Sequence, residues 1–370
     1  MRNIRVIRSL SEFTDWGQHW RTAVANIPEA HCFLSYEWLS PWLKAFLGNR
    51  EIYFVAVEDQ EKILGLAPFL VDRGGKKIEL PVNTHVGRAG FAVGSDTVDA
   101  IGLIFMHIRD NFRGYTLNFP KQDTGNPVTG CIRKDLGELG YIEICVKDLS
   151  SPLIIISGDW DGYLKSLTKH VRTELRRKVK RFESAGSVRI KKVSGVDELD
   201  SGFQDLLEIE KKTWRSSSVK STLPVEDLTS FLKPLAQALA QSGMLALYLL
   251  YLDEKPIAYT YGIIWKRTLH TLMTGFDDSL RHLSPGTNII FHTLRDAFQT
   301  KLEMVDFLGQ DYRWKVEYSN AMREHIRLTF LPERMANKIR RYFECVAKPY
   351  VKRMLPWGRT VVRGIRKRTE

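Results

Sequence analysis

The sequence predicts an α+β fold made of two tandem units and a basic C-terminal tail, and three observations carry that reading. Each half offers a pair of amphipathic helices feeding an antiparallel hairpin. A chain of 370 residues with 44% hydrophobic content is long enough for two cores. The net charge of +12 is concentrated at one end: residues 331–370 hold 12 Lys or Arg against 3 Glu, a local balance of +9.

In the first half a strand over 5–8 leads to a helix with Phe13, Trp16 and Trp20 on one face. A second helix, Tyr36–Phe46, carries Trp38, Leu39, Trp42, Leu43 and Phe46 as an apolar stripe. Strands over 51–58 and 63–71 flank a polar turn and form a hairpin. A helix over 97–111 and a strand over 115–119 follow, and the block reads as incomplete. The second half opens on one long helix, 159–183, with Leu164, Leu167, Val171, Leu175, Val179 and Phe182 on one face and basic residues around the rest. Then come a strand (187–193), two helices (196–214 and 225–242), three strands (245–252, 256–264 and 268–274), a helix (287–302) and a strand (304–308). The shared plan suggests a duplication with domains over 1–150 and 151–330 and a tail over 331–370.

The longest uncharged apolar runs, 100–108 and 245–252, are about half of the ~20 residues a membrane-crossing helix needs. The N-terminus lacks the apolar run and cleavage site of a secretory signal. The expected compartment is the cytoplasm. Cys32, Cys131, Cys145 and Cys345 are scattered, without Cys-x-x-Cys or short His spacing, so neither a metal site nor a disulfide framework is expected.

The residues that point to chemistry centre on Arg281-His282-Leu283-Ser284-Pro285-Gly286-Thr287, placed after a strand and opening a helix. Unpaired N–H groups and the helix dipole favour an anion there. Gly286 allows close approach, Arg281 supplies charge, and Ser284 or Thr287 a hydroxyl. Pro285 suits the first helical position, so the same turn is also a common way to start a helix.

This turn resembles the Arg/Gln-x-x-Gly-x-Gly/Ala motif with which GNAT acyltransferases grip the pyrophosphate of coenzyme A, with Ser284 where Gly is usual. The wider pattern is similar to the Fem-like or cellulose-biosynthesis-type branch of that superfamily. Its counterparts here are Gly275-Phe276-Asp277, Ser284-Pro285-Gly286, Asp306-Phe307-Leu308-Gly309 and Trp314-Lys315, with further likeness at 33–39, 172–178 and 210–214. The resemblance implies tandem GNAT-like domains, the first degenerate and on the acceptor side, the second for donor binding and catalysis. It implies acyl-coenzyme A, such as acetyl-coenzyme A, as co-substrate, with no permanently bound cofactor and no metal.

Asp306, at the end of the last strand of the unit, is the first candidate base or acceptor-orienting group, and Asp311 the second. Lys315 is a candidate for an anionic acceptor. His85 and Arg88, in a polar stretch of the first half, Arg172 and Arg176 on the basic helix, and Trp214 complete the candidate acceptor contacts, each with a plain loop, solvated-face or core role as its alternative. No Ser-His-Asp or Cys-His pattern is legible, so direct attack on the donor is expected. The acceptor class is an amino or hydroxyl group of a sugar, lipid-linked glycan or envelope precursor. The alternatives are a Fem-like transferase using aminoacyl-tRNA and a non-catalytic binding protein. The tail alternates Ile339, Tyr342, Phe343, Val346, Tyr350, Val351 and Leu355 with Lys and Arg, as expected of a segment drawn to the anionic inner face of a membrane. Nucleic acid other than tRNA is not an expected partner.

Overall fold

The computed structural model describes residues 2–341 except 61, 84–85, 95–96, 214–227, 310, 335 and 338–340, so the tail beyond 341 lies outside the described residues. The first half comprises β1 (Arg2–Ile7), α1 (Leu10–Asp15), α2 (Gly17–Asn26), α3 (Tyr36–Phe46), β2 (Glu51–Asp59), β3 (Lys62–Asp72), β4 (Lys77–Glu79), β5 (Ala92–Val93), α4 (Ala100–Asn111), β6 (Thr116–Asp123), α5 (Pro127–Glu138) and β7 (Ile142–Lys147). The rest comprises β8 (Ser151–Ile155), α6 (Trp160–Ser166), α7 (Lys169–Glu183), β9 (Val188–Val193), α8 (Leu199–Lys211), α9 (Lys233–Gln241), β10 (Leu245–Leu252), β11 (Lys255–Trp265), β12 (Thr268–Phe276), α10 (Pro285–Gln299), β13 (Met304–Asp306), α11 (Arg313–Tyr318), β14 (Ala321–Arg323) and β15 (His325–Leu331).

Where the hydrophobic period is strong and a cap is at hand, sequence and structure coincide. Ser35 caps α3 by accepting the N–H of Trp38 at 3.2 Å, and Trp38 and Trp42 are fully buried on its inner face. Two expected helices are instead broken. The helix around Trp16 divides into α1 and α2, and the expected helix over 159–183 divides at Leu167, which is extended. Thr168 then takes the N–H of Val171 on its own hydroxyl at 3.3 Å and starts α7 afresh. A Thr that offers the backbone a local partner interrupts the helix even though the apolar period continues through it.

The two sheets repeat one plan. The first runs β1-β2-β3-β4-β6-β15-β7, with β5 on β3, and the second β14-β8-β13-β12-β11-β10-β9. In each, antiparallel neighbours lead to one parallel pair, β4 with β6 and β12 with β13. A helix connects the members of that pair, α4 in one half and α10 in the other, and helices again separate the first two strands. Helices α1–α3, α8 and α9 fill the space between the sheets in a single core, in which Trp38 meets Phe231 edge-on at 5.5 Å and Trp265 Nε1 donates to Ala30 O at 3.1 Å. Helices α4 and α5 cover the outer face of the first sheet, and α6, α7 and α10 that of the second.

The halves are interlocked by exchanged strands. Only residues 148–150 separate β7 from β8, yet β7 lies in the first sheet and β8 in the second, between β13 and β14. Only Glu324 separates β14 from β15, yet β15 returns to the first sheet and inserts between β6 and β7. The incompleteness legible in the first half is thereby made good by residues almost two hundred positions downstream. The sequence reading places 325–330 in the second domain; in space they complete the first. The crossings bond to each other: Asp148 N–H donates to His325 O at 2.9 Å, Ser150 Oγ to Glu324 at 2.7 Å, and Lys147 pairs with Glu324 at 2.9 Å. Leu328 is fully buried in the core beneath the first sheet. Leu328→Ala is expected to cost about 2–5 kcal/mol and to lower the urea midpoint of both halves together, read by far-UV circular dichroism and tryptophan fluorescence. Two separated transitions would show that the exchange does not couple them.

Candidate active site

The second sheet parts at one point. Its parallel ladder holds only Thr268↔Met304, Leu269↔Val305 and His270↔Asp306, whereas β12 runs on to Phe276. A gap therefore opens beyond His270 and Asp306, and β12 leads on to a 3-10 turn, Asp278–Leu283, and the start of α10.

The residues before that helix are shaped by contact. A Cβ on Gly275 would run into the Tyr259 ring and the Glu210 carboxylate, which are hydrogen-bonded to each other. A Cβ on Gly286 would lie 3.0 Å from the Phe276 ring, so α10 starts directly against the strand end. Asp277 accepts the N–H of Ser279 at 3.0 Å and its hydroxyl at 2.6 Å. Ser284 is left-handed (φ 60°, ψ 49°), a conformation costing a residue with a Cβ about 1–2 kcal/mol. Its carbonyl receives the N–H groups of Thr287 and Asn288 at 3.1 and 3.2 Å, and its hydroxyl receives Arg181 Nη2 at 2.9 Å. Arg281 is two-thirds exposed and pairs with Asp278 at 2.6 Å. Two guanidinium groups thus flank a helix N-terminus, an arrangement suited to phosphate. Asn288 is fully buried in the first turn, with an Oδ1 that no described group satisfies.

On the other strand, Asp306 is 1% exposed. One carboxylate oxygen accepts the N–H of Leu308 at 2.9 Å and the other faces Arg323 Nη1. Leu308 and Gly309 are both left-handed, and Lys315 Nζ closes the turn by donating to the carbonyls of Phe307 at 2.8 Å and Leu308 at 2.6 Å. Burial pushes the Lys315 ammonium down to about 8, with Asp306 opposing the shift. The first domain sits on this turn: a Cβ on Gly87 would lie 2.6 Å from the Leu308 side chain.

Behind the turn lies a buried polar cluster drawn from both domains. Arg323 Nε reaches Asp123 at 3.1 Å, and Arg88 reaches the same carboxylate at 3.3 Å. His31, His270 and His325 are all buried; His270 Nδ1 is 3.9 Å from Asp306 Oδ2, and His325 Nδ1 lies 2.8 Å from Leu149 O. Both ring nitrogens of His31, Nδ1 of His270 and Nε2 of His325 have no hydrogen-bond partner among the described residues. Burial pushes all three imidazoles below the ordinary 6.5, His270 to about 4, where Asp306 opposes the shift and Arg323 and Arg88 reinforce it. Among the described residues no group of three or more His, Cys, Asp or Glu is placed to hold a metal ion.

Of the residues singled out in the sequence, Arg281, Ser284, Pro285, Gly286 and Thr287 form one turn, and Asp306 and Lys315 another. Arg88 joins Asp306 through Asp123 and Arg323. Arg172 is spent on structure: its guanidinium donates to Lys165 O at 2.8 Å and Leu167 O at 3.2 Å, capping the end of α6. Arg176 and Asp311 are exposed. His85 and Trp214 lie outside the described residues. Asp123, His31, His270, Arg323 and His325 escaped sequence reasoning, because each meets its partners only in the folded chain: Arg323 and His325 through the exchange, His270 through the parallel ladder with β13. One signal existed: Asp123 ends β6 as Asp306 ends β13, the corresponding strand of the other half.

Residues 169–316 match a family model described as an acetyltransferase (GNAT) domain. The architecture is an α+β fold of two tandem units, and the matched region lies in the second. FemX superposes with a TM-score of 0.60 at 12% identity, covering 84% of this chain and 95% of that one. A conserved protein of unknown function from Bacteroides thetaiotaomicron gives 0.55 at 14%, covering 90% and 100%. L-PGS from Bacillus licheniformis gives 0.53 at 13%, covering 82% and 94%. No curated protein matches the chain in sequence. Among the described residues no helix is long and apolar enough to cross a membrane.

The buried histidines make stability depend on pH. Below pH 6.5 the unfolded chain takes up protons that the folded imidazoles refuse until about pH 4 in the case of His270, so stability falls as pH falls across that window. Each such histidine contributes a slope of up to about 1.4 kcal/mol per pH unit. Thermal melts from pH 8 to 4 are expected to show Tm level above 7 and dropping below 6.5, with a shallower drop in His270→Gln. An equally steep drop in that variant would mean that His270 does not titrate as its surroundings dictate.

Proposed function

We propose that this chain is an acyltransferase that moves an acyl group from acyl-coenzyme A, acetyl-coenzyme A being the simplest, to an amino or hydroxyl group of a sugar or lipid-linked glycan. The observation that carries the reading is the start of α10: a helix N-terminus flanked by Arg181 and Arg281, beyond a gap between parallel strands that begins at His270 and Asp306. Phosphates of a donor bind at the helix, with Gly286 letting α10 start against Phe276 and Ser284 and Thr287 offering hydroxyls. The acyl end extends along the gap towards Asp306.

Direct attack is supported over an acyl-enzyme, since burial and Asp306 push the thiol of the nearby Cys32 far above its ordinary range. Asp306 has both oxygens engaged, which suits it to orienting groups at the reaction point. Lys315, tied to the same turn, places a positive charge where an oxyanion or an anionic acceptor is held. The first domain supplies the acceptor side through Arg88 and its neighbours. The basic tail brings that side to an anionic membrane surface when the acceptor is lipid-linked.

A second reading, transfer from aminoacyl-tRNA, is favoured by the FemX fold likeness and by Ser284 standing where acyl-coenzyme A motifs have Gly. The two readings separate on donor binding. Acetyl-coenzyme A is expected to raise Tm by several degrees, and Arg181→Ala or Arg281→Ala to weaken its binding about 10-fold or more, as loss of one charge-assisted contact implies. No shift with acetyl-, succinyl- or long-chain acyl-coenzyme A, together with labelled amino-acid transfer from charged tRNA, would replace the first reading by the second.

A further inference from the structure

We propose that His270 is the group that accepts the proton of the attacking nucleophile, with Asp306 and Arg323 acting through it as positioning residues. The inference rests on the acyl-transfer reading above and names the base which that reading lacks.

His270 and Asp306 are the last pair of the parallel ladder, so they stand where β12 and β13 begin to separate. Neighbours paired in a parallel sheet point to the same face, and successive residues to opposite faces. Leu269 and Val305, one position earlier, belong to the core beneath α10. His270 and Asp306 therefore point the other way, towards the first domain, where Phe33 lies 6.1 Å from the His270 ring. An acyl carbonyl seated in the gap has α10 over one face; an acceptor comes to it from the other, on which His270 stands.

Unspent hydrogen-bonding capacity favours His270 over its neighbours. Asp306 receives the Leu308 N–H on one oxygen and Arg323 on the other. Lys315 spends its ammonium on two carbonyls. His270 Nδ1 has no hydrogen-bond partner among the described residues and lies 3.9 Å from Asp306 Oδ2, a small closing movement from a hydrogen bond. The titratable and charged groups around it are His31 before α3, Arg88 after β4, Asp306 on β13 and Arg323 on β14. Burial keeps the imidazole neutral at pH 7, the form a base requires. Asp306 stabilises the imidazolium as it forms, and Arg323 fixes Asp306 in place.

The step balances within the acyl-transfer reaction. The acceptor N–H or O–H attacks the thioester carbonyl, the new C–N or C–O bond forms, and the proton passes to a His270 ring nitrogen. The tetrahedral intermediate collapses, the C–S bond breaks, and the departing thiolate takes the proton back from the imidazolium. The histidine ends neutral and coenzyme A leaves as the thiol.

The test uses the full chain, acetyl-coenzyme A as probe, and thiol release with water, glucosamine and ethanolamine as nucleophiles, alongside calorimetric acetyl-coenzyme A binding. His270→Gln and His270→Ala are expected to lose about 10²–10⁴-fold in rate while binding acetyl-coenzyme A within twofold of the natural chain, which also certifies their folding. Added imidazole is expected to restore part of the rate to His270→Ala only. Either variant releasing thiol within threefold of the natural chain overturns the proposal, as does a natural chain that binds acetyl-coenzyme A yet releases no thiol to any nucleophile. A natural chain that does not bind acetyl-coenzyme A fails at the donor instead, and overturns the acyl-transfer reading on which the proposal stands.

Discussion

The guanidinium of Arg323 lies between two carboxylates that come from different sheets, Asp306 of the second and Asp123 of the first. It reaches that position because β14 ends in the second sheet and β15, one residue later, begins in the first. Asp306 is fully buried and its partners are partly so, and loss of one partner of a buried ion pair typically costs about 3–5 kcal/mol. The crossing that completes the first sheet therefore also delivers the counter-charge of the candidate site. Neither domain can be finished, nor Asp306 given its Arg323 partner, without the other.

The two similar halves differ at their corresponding helix starts. Helix α4 occupies the place in the first half that α10 occupies in the second, but Asp99 stands at its start and pairs with Arg2. A carboxylate at a helix N-terminus satisfies the dipole that a phosphate would otherwise exploit. At α10 the corresponding residue is Ser284, attended by Arg181 and Arg281. The start of α10 thus differs from that of α4 in carrying Arg181 and Arg281 and no carboxylate at its cap, while the first half contributes Asp123, Arg88 and His31 to the polar cluster around Asp306.

Much of this was legible in the sequence wherever the information is local. The cap Ser35 and the tryptophan stripe define α3, the apolar run 245–252 defines β10, and Ser284-Pro285-Gly286 marks a helix start. Thr168 was a cap hidden inside a continuous apolar period, so the break between α6 and α7 was read through. What stayed hidden depends on partners far away in the chain. Nothing near His325 tells that it follows a strand crossing, and His270, in an unremarkable stretch of β12, gains its meaning from Asp306 thirty-six residues on and His31 in the other half. Lys315 was found by resemblance, but that it clamps the carbonyls of Phe307 and Leu308 could be known only from the turn itself.

On the reading proposed above, the gap between β12 and β13 receives an acyl donor whose phosphates rest on the start of α10. The most direct test of this placement is a crystal structure of the chain grown with coenzyme A. Pyrophosphate density is expected beside Gly286 within reach of Arg181 and Arg281, and the thiol end in the gap next to His270 and Asp306. Coenzyme A bound elsewhere, at α4 or on the outer face of α7, with the gap filled by side chains, would contradict it.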